Sequence, residues 1–164
     1  MWLYSRTNWL YSRTMVIPET ALIDTGPAVL QERLVGFIRA FGLHQPEVTP
    51  CGQPIPVSAA HALSEIAGNA SLAQLELGRR LRLEKSTVSR LVGQLVSRGW
   101  VQRNPSAEDA RAVVLTLTVA GQDAARNLAA ARHQKFEKLM AAIPDTERDE
   151  VLRALDVLTE ALHA

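Results

Sequence analysis

Apolar side chains recur along most of this chain at helical spacing. From Pro27 to Leu43, residues Leu30, Leu34, Phe37, Ile38 and Phe41 share one helical face, and Pro27 suits a first turn. Residues 44–57 hold four prolines and a glycine, so a loop is expected there; a loop that long in a compact domain is functional or mobile. Ser58 is placed to cap a helix running to about Ala67, with Ala62, Leu63 and Ile66 inward and Gly68-Asn69 at its end. Ser71 and Gln74 have the spacing of a capping box, which predicts a helix beginning at Ser71 with Leu72, Leu75 and Leu81 as its apolar stripe. Leu83-Glu84-Lys85 interrupts that stripe, and Ser86 is placed to cap the next helix. There Val88, Leu91, Val92 and Leu95 recur at i, i+3, i+4, i+7, and Gly99 stands where a helix stop belongs.

The periodicity then changes. Residues 100–103 read as a strand, 104–109 as a turn-rich tip, and 111–118 as a second strand with Val113, Leu115 and Leu117 on one face. Thr118 is placed to cap a long helix to about Ala142, whose alanines, Leu128, Phe136, Leu139 and Met140 suit close packing. Pro144 ends it. Asp145 or Thr146 opens a last helix in which Val151, Leu155, Leu158 and Leu162 repeat at near-heptad spacing. The expected fold is mainly α with a small β-wing: a winged helix-turn-helix lobe over 58–118, flanked by helices at 27–43 and 119–163. A small wing domain does not need those flanking helices for its own core, so they are read as the interface of a homodimer.

Composition agrees with one domain over 16–164: the 164 residues are 47% hydrophobic, enough for a sizeable core. No apolar run approaches the ~20 residues of a membrane span. The single cysteine cannot form an internal disulfide, which points to a reducing, cytoplasmic setting. Residues 1–15 stand apart, because Trp-Leu-Tyr-Ser-Arg-Thr occurs at 2–7 and again at 9–14, before Met15. Serines and arginines break up the apolar residues, so no signal-peptide core exists. The segment is read as an unstructured upstream addition, with a basic-aromatic arm touching DNA as the other option.

Charge changes the picture further. Between Arg79 and Arg111 there are eight basic and three acidic residues, a net of +5 in a chain whose total is +1. Positive charge gathered on one module is the footprint of a nucleic-acid site. The outward face of the helix from Ser86 carries Thr87, Ser89, Arg90, Gly93, Gln94 and Ser97, with no carboxylate among them. Such side chains reach base edges and phosphates without repelling them. Thr87, Ser89, Arg90 and Gln94 are assigned to base reading, with Arg90 suited to guanine and Gln94 to adenine. Ser86 is assigned a cap and a phosphate held by backbone amides. Arg103 and Arg111 lie at the base of the wing, and Arg103 is expected to contact the phosphate backbone.

At these residues the sequence resembles the MarR family of bacterial transcription regulators. Leu83 to Val92 (LEKSTVSRLV) looks like that family's turn and recognition-helix opening. Glu108 to Arg111, leading into Leu-Thr-Leu-Thr-Val-Ala-Gly at 115–121, looks like its wing motif, Asp-x-Arg followed by Leu-Thr-x-x-Gly. The resemblance runs from roughly Pro27 to the C-terminus. It implies a two-fold dimer with intertwined terminal helices, an inverted-repeat operator in double-stranded DNA, and a wing arginine, Arg111, directed to the minor groove and oriented by Asp109. Position 93 is glycine where several family members carry a larger polar or charged residue, so any contact made from there elsewhere is absent here.

The family also responds to small molecules, often aromatic acids, in a pocket between the dimer helices and the DNA-binding lobe. An apolar or aromatic inducer lined by Phe37, Phe41 and His61 is therefore expected, and repression is the expected mode. Cys51 and His61 leave a metal- or redox-responsive regulator open. His61 matches a position used by metal-sensing relatives, but no further ligands are identified, and Cys51 follows the first helix instead of opening it as in oxidant sensors. No cofactor or metal is assigned. A winged-helix protein-interaction or scaffold module is the other reading. An enzyme is set aside: there is no Ser/His/Asp set, no paired carboxylates in an apolar setting, no phosphate-cradling glycine loop and no metal quartet.

Overall fold

The computed structural model describes residues 26–106 and 112–163. Its elements run in the order α1 (Pro27–Phe41), α2 (Val57–Ala67), β1 (Leu72–Ala73), α3 (Gln74–Leu81), α4 (Lys85–Ser97), β2 (Val101–Pro105), β3 (Val113–Leu117), α5 (Val119–Ala142), a 3-10 turn (Asp145–Glu147) and α6 (Arg148–Ala161). The repeated segment at 1–15 and the wing-tip residues Asp109 and Arg111 lie outside the described residues.

The core sits where α2, α3 and α4 meet the sheet. Leu63, Ile66, Leu77, Leu95 and Leu115 are completely buried there, joined by Val88, Leu91 and Val92 from the predicted face of α4. Each such aliphatic side chain contributes roughly 1.5–3 kcal/mol relative to exposure. Leu128 of α5 packs against the same cluster and ties the long helix to the lobe.

The sheet has three strands in the order β1-β3-β2, all pairs antiparallel. Its first strand corrects the reading of Ser71. Leu72 and Ala73 pair with Leu115 and Val114, so the backbone stays extended past Ser71 and α3 begins only at Gln74. Ala73 is its N-cap, with no side-chain cap. Leu72 is buried as a strand residue, Leu75 is 65% exposed, and Leu77 fills the core position instead.

Two other serine caps are corrected in the same way. Helix α2 starts at Val57 after Pro56, and Ser58 already lies inside its first turn. Helix α4 starts at Lys85 with Glu84 extended at the N-cap, so Ser86 also lies inside the first turn. The half-buried Leu83 anchors the preceding turn and sets that earlier start. Thr118, in contrast, caps α5 as expected, accepting from the Gly121 N–H at 2.9 Å. Pro144 does end α5, but Asp145 and Thr146 form a 3-10 turn, and α6 proper begins at Arg148.

Candidate nucleic-acid interface

The turn between α3 and α4 is made by Arg82, held in the left-handed region at φ 53°, ψ 43°. Leu83 N–H reaches the Gly78 carbonyl at 3.0 Å and Arg82 N–H the Arg79 carbonyl at 3.1 Å, which satisfies the end of α3. Helix α4 ends in a Schellman arrangement: Gly99 N–H bonds the Val96 carbonyl at 2.9 Å and Trp100 N–H the Leu95 carbonyl at 3.0 Å. Gly99 has φ 71°, the conformation glycine adopts without penalty, so the predicted stop is also the hinge into β2.

Between those two stops α4 buries Val88, Leu91, Val92 and Leu95 and turns its other side outward. Ser89, Arg90, Gln94 and Ser97 are exposed, as is Ser86, while Thr87 and Gly93 are half-buried. Arg90 forms no ion pair among the described residues. The cations of α3 are partly neutralised: Glu76 meets Arg79 at 3.6 Å and Arg80 at 3.0 Å, and Glu65 meets Arg80 at 3.3 Å. Free positive charge is therefore weighted toward α4 and the wing rather than α3. Arg98 lies over the Trp100 ring, 5.1 Å from its centroid.

The wing is β2 and β3, in register from Val101↔Leu117 to Pro105↔Val113, with Ser106 N–H closing onto the Ala112 carbonyl at 2.9 Å. Arg103 stands opposite Leu115, so it shares the sheet face that turns toward the helices. Its Nη2 donates to the Ser89 carbonyl at 3.2 Å, which places the guanidinium on α4.

A second feature lies where the proline-rich loop, α2 and α5 meet. A cavity of about 210 Å³ is lined by Phe41, Phe136, His61, Cys51, Arg132 and Lys135, among others. Phe41 stacks on Phe37 at 5.5 Å and meets Phe136 at 5.9 Å, so Phe37 backs the aromatic wall without lining the cavity. The proline-rich loop forms a wall, ordered by the buried Thr49. That hydroxyl accepts from Gln53 N–H at 2.9 Å and lies 3.1 Å from Cys51 Sγ. Burial, and then the Arg132 guanidinium, hold His61 below its ordinary value of 6.5, with Glu65 pulling the other way. Sequence reading found Phe41, Cys51 and His61 but missed Thr49, Arg132 and Lys135. The i, i+3 pair of cations on α5 was the available signal for the last two. Among the described residues no three His, Cys, Asp or Glu side chains gather to hold a metal.

Helix, turn, helix and a sheet-borne wing define a winged helix-turn-helix protein. Residues 53–112 match the model of the MarR family. It is 30% identical over 83 residues to the transcriptional repressor MprA of Escherichia coli K12, covering 51% of this chain and 47% of that one. The chain thus spans about half the length of that curated relative. The fold matches Streptococcus pneumoniae FabT, solved in complex with DNA, with a TM-score of 0.72 at 22% identity over 83% of this chain and 96% of that one. It also matches Streptomyces coelicolor PcaV, solved with its natural ligand, with a TM-score of 0.64 at 22% identity over 84% and 94% of the two chains. No described helix is long and apolar enough to cross a membrane.

Proposed function

We propose that this chain is a dimeric, sequence-specific DNA-binding transcription regulator, a repressor released by a small aromatic acid. The observation that carries the reading is the outward face of α4: hydroxyls, an amide and an arginine, exposed, free of carboxylates and flanked by the wing. Thr87, Ser89, Arg90 and Gln94 read base edges in the major groove, Ser86 and the first backbone amides of α4 hold a phosphate, and Arg111 with Asp109 serves the wing. This is a binding protein, not an enzyme.

Dimerisation is supported by α6, where Leu152, Leu155, Val157 and Leu158 are all exposed in the single chain. A face of that size is expected to be covered in a soluble protein. Two copies related by a two-fold axis would set their α4 helices about 34 Å apart, facing successive major grooves of an inverted repeat.

The cavity beside α5 supports the inducer class. Two aromatic rings, two cations and an imidazole around about 210 Å³ suit one ring bearing a carboxylate. Two proteins of the same fold were solved with partners, FabT with DNA and PcaV with its natural ligand. No observation favours the metal- or redox-responsive alternative, because Cys51 sits against Thr49 and His61 has no gathered co-ligands among the described residues.

The test is a titration of the purified protein against DNA flanking its own gene, at fixed salt, with scrambled duplex as competitor. Tight binding to an inverted repeat, weakened by simple aromatic acids such as benzoate or salicylate, is the expected result. Binding no tighter than to scrambled DNA would support a scaffold module instead.

A further inference from the structure

We propose that Arg103 is a specificity-determining residue that reads a base beside Arg90, seated on the recognition helix by the missing side chain of Gly93. The inference rests on the DNA-reading role assigned to α4 and changes the role expected for Arg103 from its sequence position.

Arg103 belongs to β2, yet its guanidinium reaches α4. Strand pairing sets it opposite Leu115, the completely buried centre of the sheet, so its stem leaves the sheet on the side of the helices. From there the guanidinium crosses to α4, where one N–H donates to the Ser89 carbonyl at 3.2 Å. A Cβ built on Gly93 would stand 4.0 Å from Arg103 Nη2. Ser89 and Gly93 are one helical turn apart, so the guanidinium lies along the Ser89–Gly93 row of the outward face, with Arg90 on the neighbouring row.

The bond to Ser89 uses one N–H of the fork, and the residue is exposed, which leaves further N–H donors for a ligand. A planar cation seated on a base-reading face is the arrangement that recognises guanine by two parallel hydrogen bonds. A side chain longer than alanine at position 93 would occupy the guanidinium's seat. Gly93 is therefore part of the recognition device.

The experiment is selection from a library of inverted-repeat duplexes with randomised half-sites. The wild type, Arg103→Ala, Arg103→Lys, Gly93→Leu and Arg90→Ala are run in parallel, each shown to be folded by circular dichroism. Arg103→Ala is expected to lose preference at one position per half-site, different from the position lost with Arg90→Ala, with discrimination there falling on the order of ten- to hundredfold. Arg103→Lys keeps the charge and the salt dependence but loses the same preference. Gly93→Leu loses it too, with Arg103 intact. The proposal is overturned if Arg103→Ala weakens selected and scrambled duplexes alike, lowers the salt slope by about one, and is rescued by lysine, since that is a phosphate contact. It is equally overturned if Gly93→Leu leaves every preference unchanged. A wild type that enriches no sequence would instead bring down the DNA-reading role itself, which separates the two failures.

Discussion

Gly121 and the carbonyl of Trp100 are packed so closely that a Cβ added to the glycine would stand 1.9 Å from the carbonyl oxygen and 2.8 Å from its carbon. The obstacle is backbone, which cannot swing aside as a side chain can. This contact fastens the first turn of α5 to the start of the wing. Gly121→Ala is therefore expected to destabilise the protein by about 3 kcal/mol or more, the upper end of overpacking costs. Urea unfolding followed by circular dichroism reads it directly, and an unchanged midpoint would mean that the junction is looser than described.

Thr118 works at the same junction with both sides of its hydroxyl. Oγ1 donates to the Gly99 carbonyl at 2.6 Å and accepts from Gly121 N–H at 2.9 Å. The residue also bonds the Trp100 carbonyl through its backbone N–H at 3.0 Å. Thr118→Ala should cost about 1–2 kcal/mol in the same unfolding assay, within the range for a lost N-cap, and Thr118→Ser should recover most of it.

This junction shows what the sequence could and could not tell. Thr118 was legible because capping is a local rule: one hydroxyl, one helix start, one apolar change of period. Gly121 was legible only as part of the Leu-Thr-x-x-Gly resemblance, since nothing local announces that another segment's carbonyl will press against it. The serines at 58, 71 and 86 failed as caps for the opposite reason. A proline, a strand pairing and an anchored turn each moved the helix start away from a residue that satisfied the local rule. Arg103 was read as a wing residue because its strand was recognised, but the face it takes depends on its register with Leu115. The cavity was half legible. Its aromatic and imidazole members stood out on helical faces, whereas Arg132 and Lys135 looked like ordinary solvated positions on a long helix.

Arg90 offers the most direct check on the orientation of α4. It is exposed on the carboxylate-free face and makes no ion pair among the described residues. Arg90→Ala should cost about 1–3 kcal/mol of operator binding and relax base preference at one position per half-site. Competition binding against single-base operator variants measures both. Unchanged discrimination would mean that another face of the helix meets the bases.

His61 gives the protein a pH dependence of known sign. Burial and Arg132 lower its pKa in the folded state below 6.5, so between those two values the unfolded chain binds a proton that the native protein refuses. The contribution is neutral above 6.5, and stability is lost as pH falls from there through the depressed folded value. Glu65 opposes the shift. Lowering the buffer from about pH 7.5 to about pH 5 should reduce the urea midpoint, and His61→Gln should reduce it by less. Equal losses in the two proteins would assign the acid sensitivity to other groups.

The last expectation concerns the helices outside the lobe. Leu155 is 48% exposed and Leu158 36% exposed on α6, with Leu152 on the same side, so in the single chain these side chains are partly wet. A two-fold interface uses the same patch on both copies, so each substitution is felt twice. Burying an aliphatic side chain contributes roughly 1.5–3 kcal/mol, and a carboxylate in its place adds a desolvation cost and repels its symmetry mate. Leu155→Glu with Leu158→Glu should therefore raise the dimer dissociation constant by several orders of magnitude, while the lobe, whose core lies around Leu63 and Leu115, stays folded. Sedimentation velocity over a dilution series separates the outcomes. A wild-type dimer and a folded, monomeric double variant that no longer holds an inverted repeat would place the interface on α6. A double variant that remains dimeric would move it elsewhere.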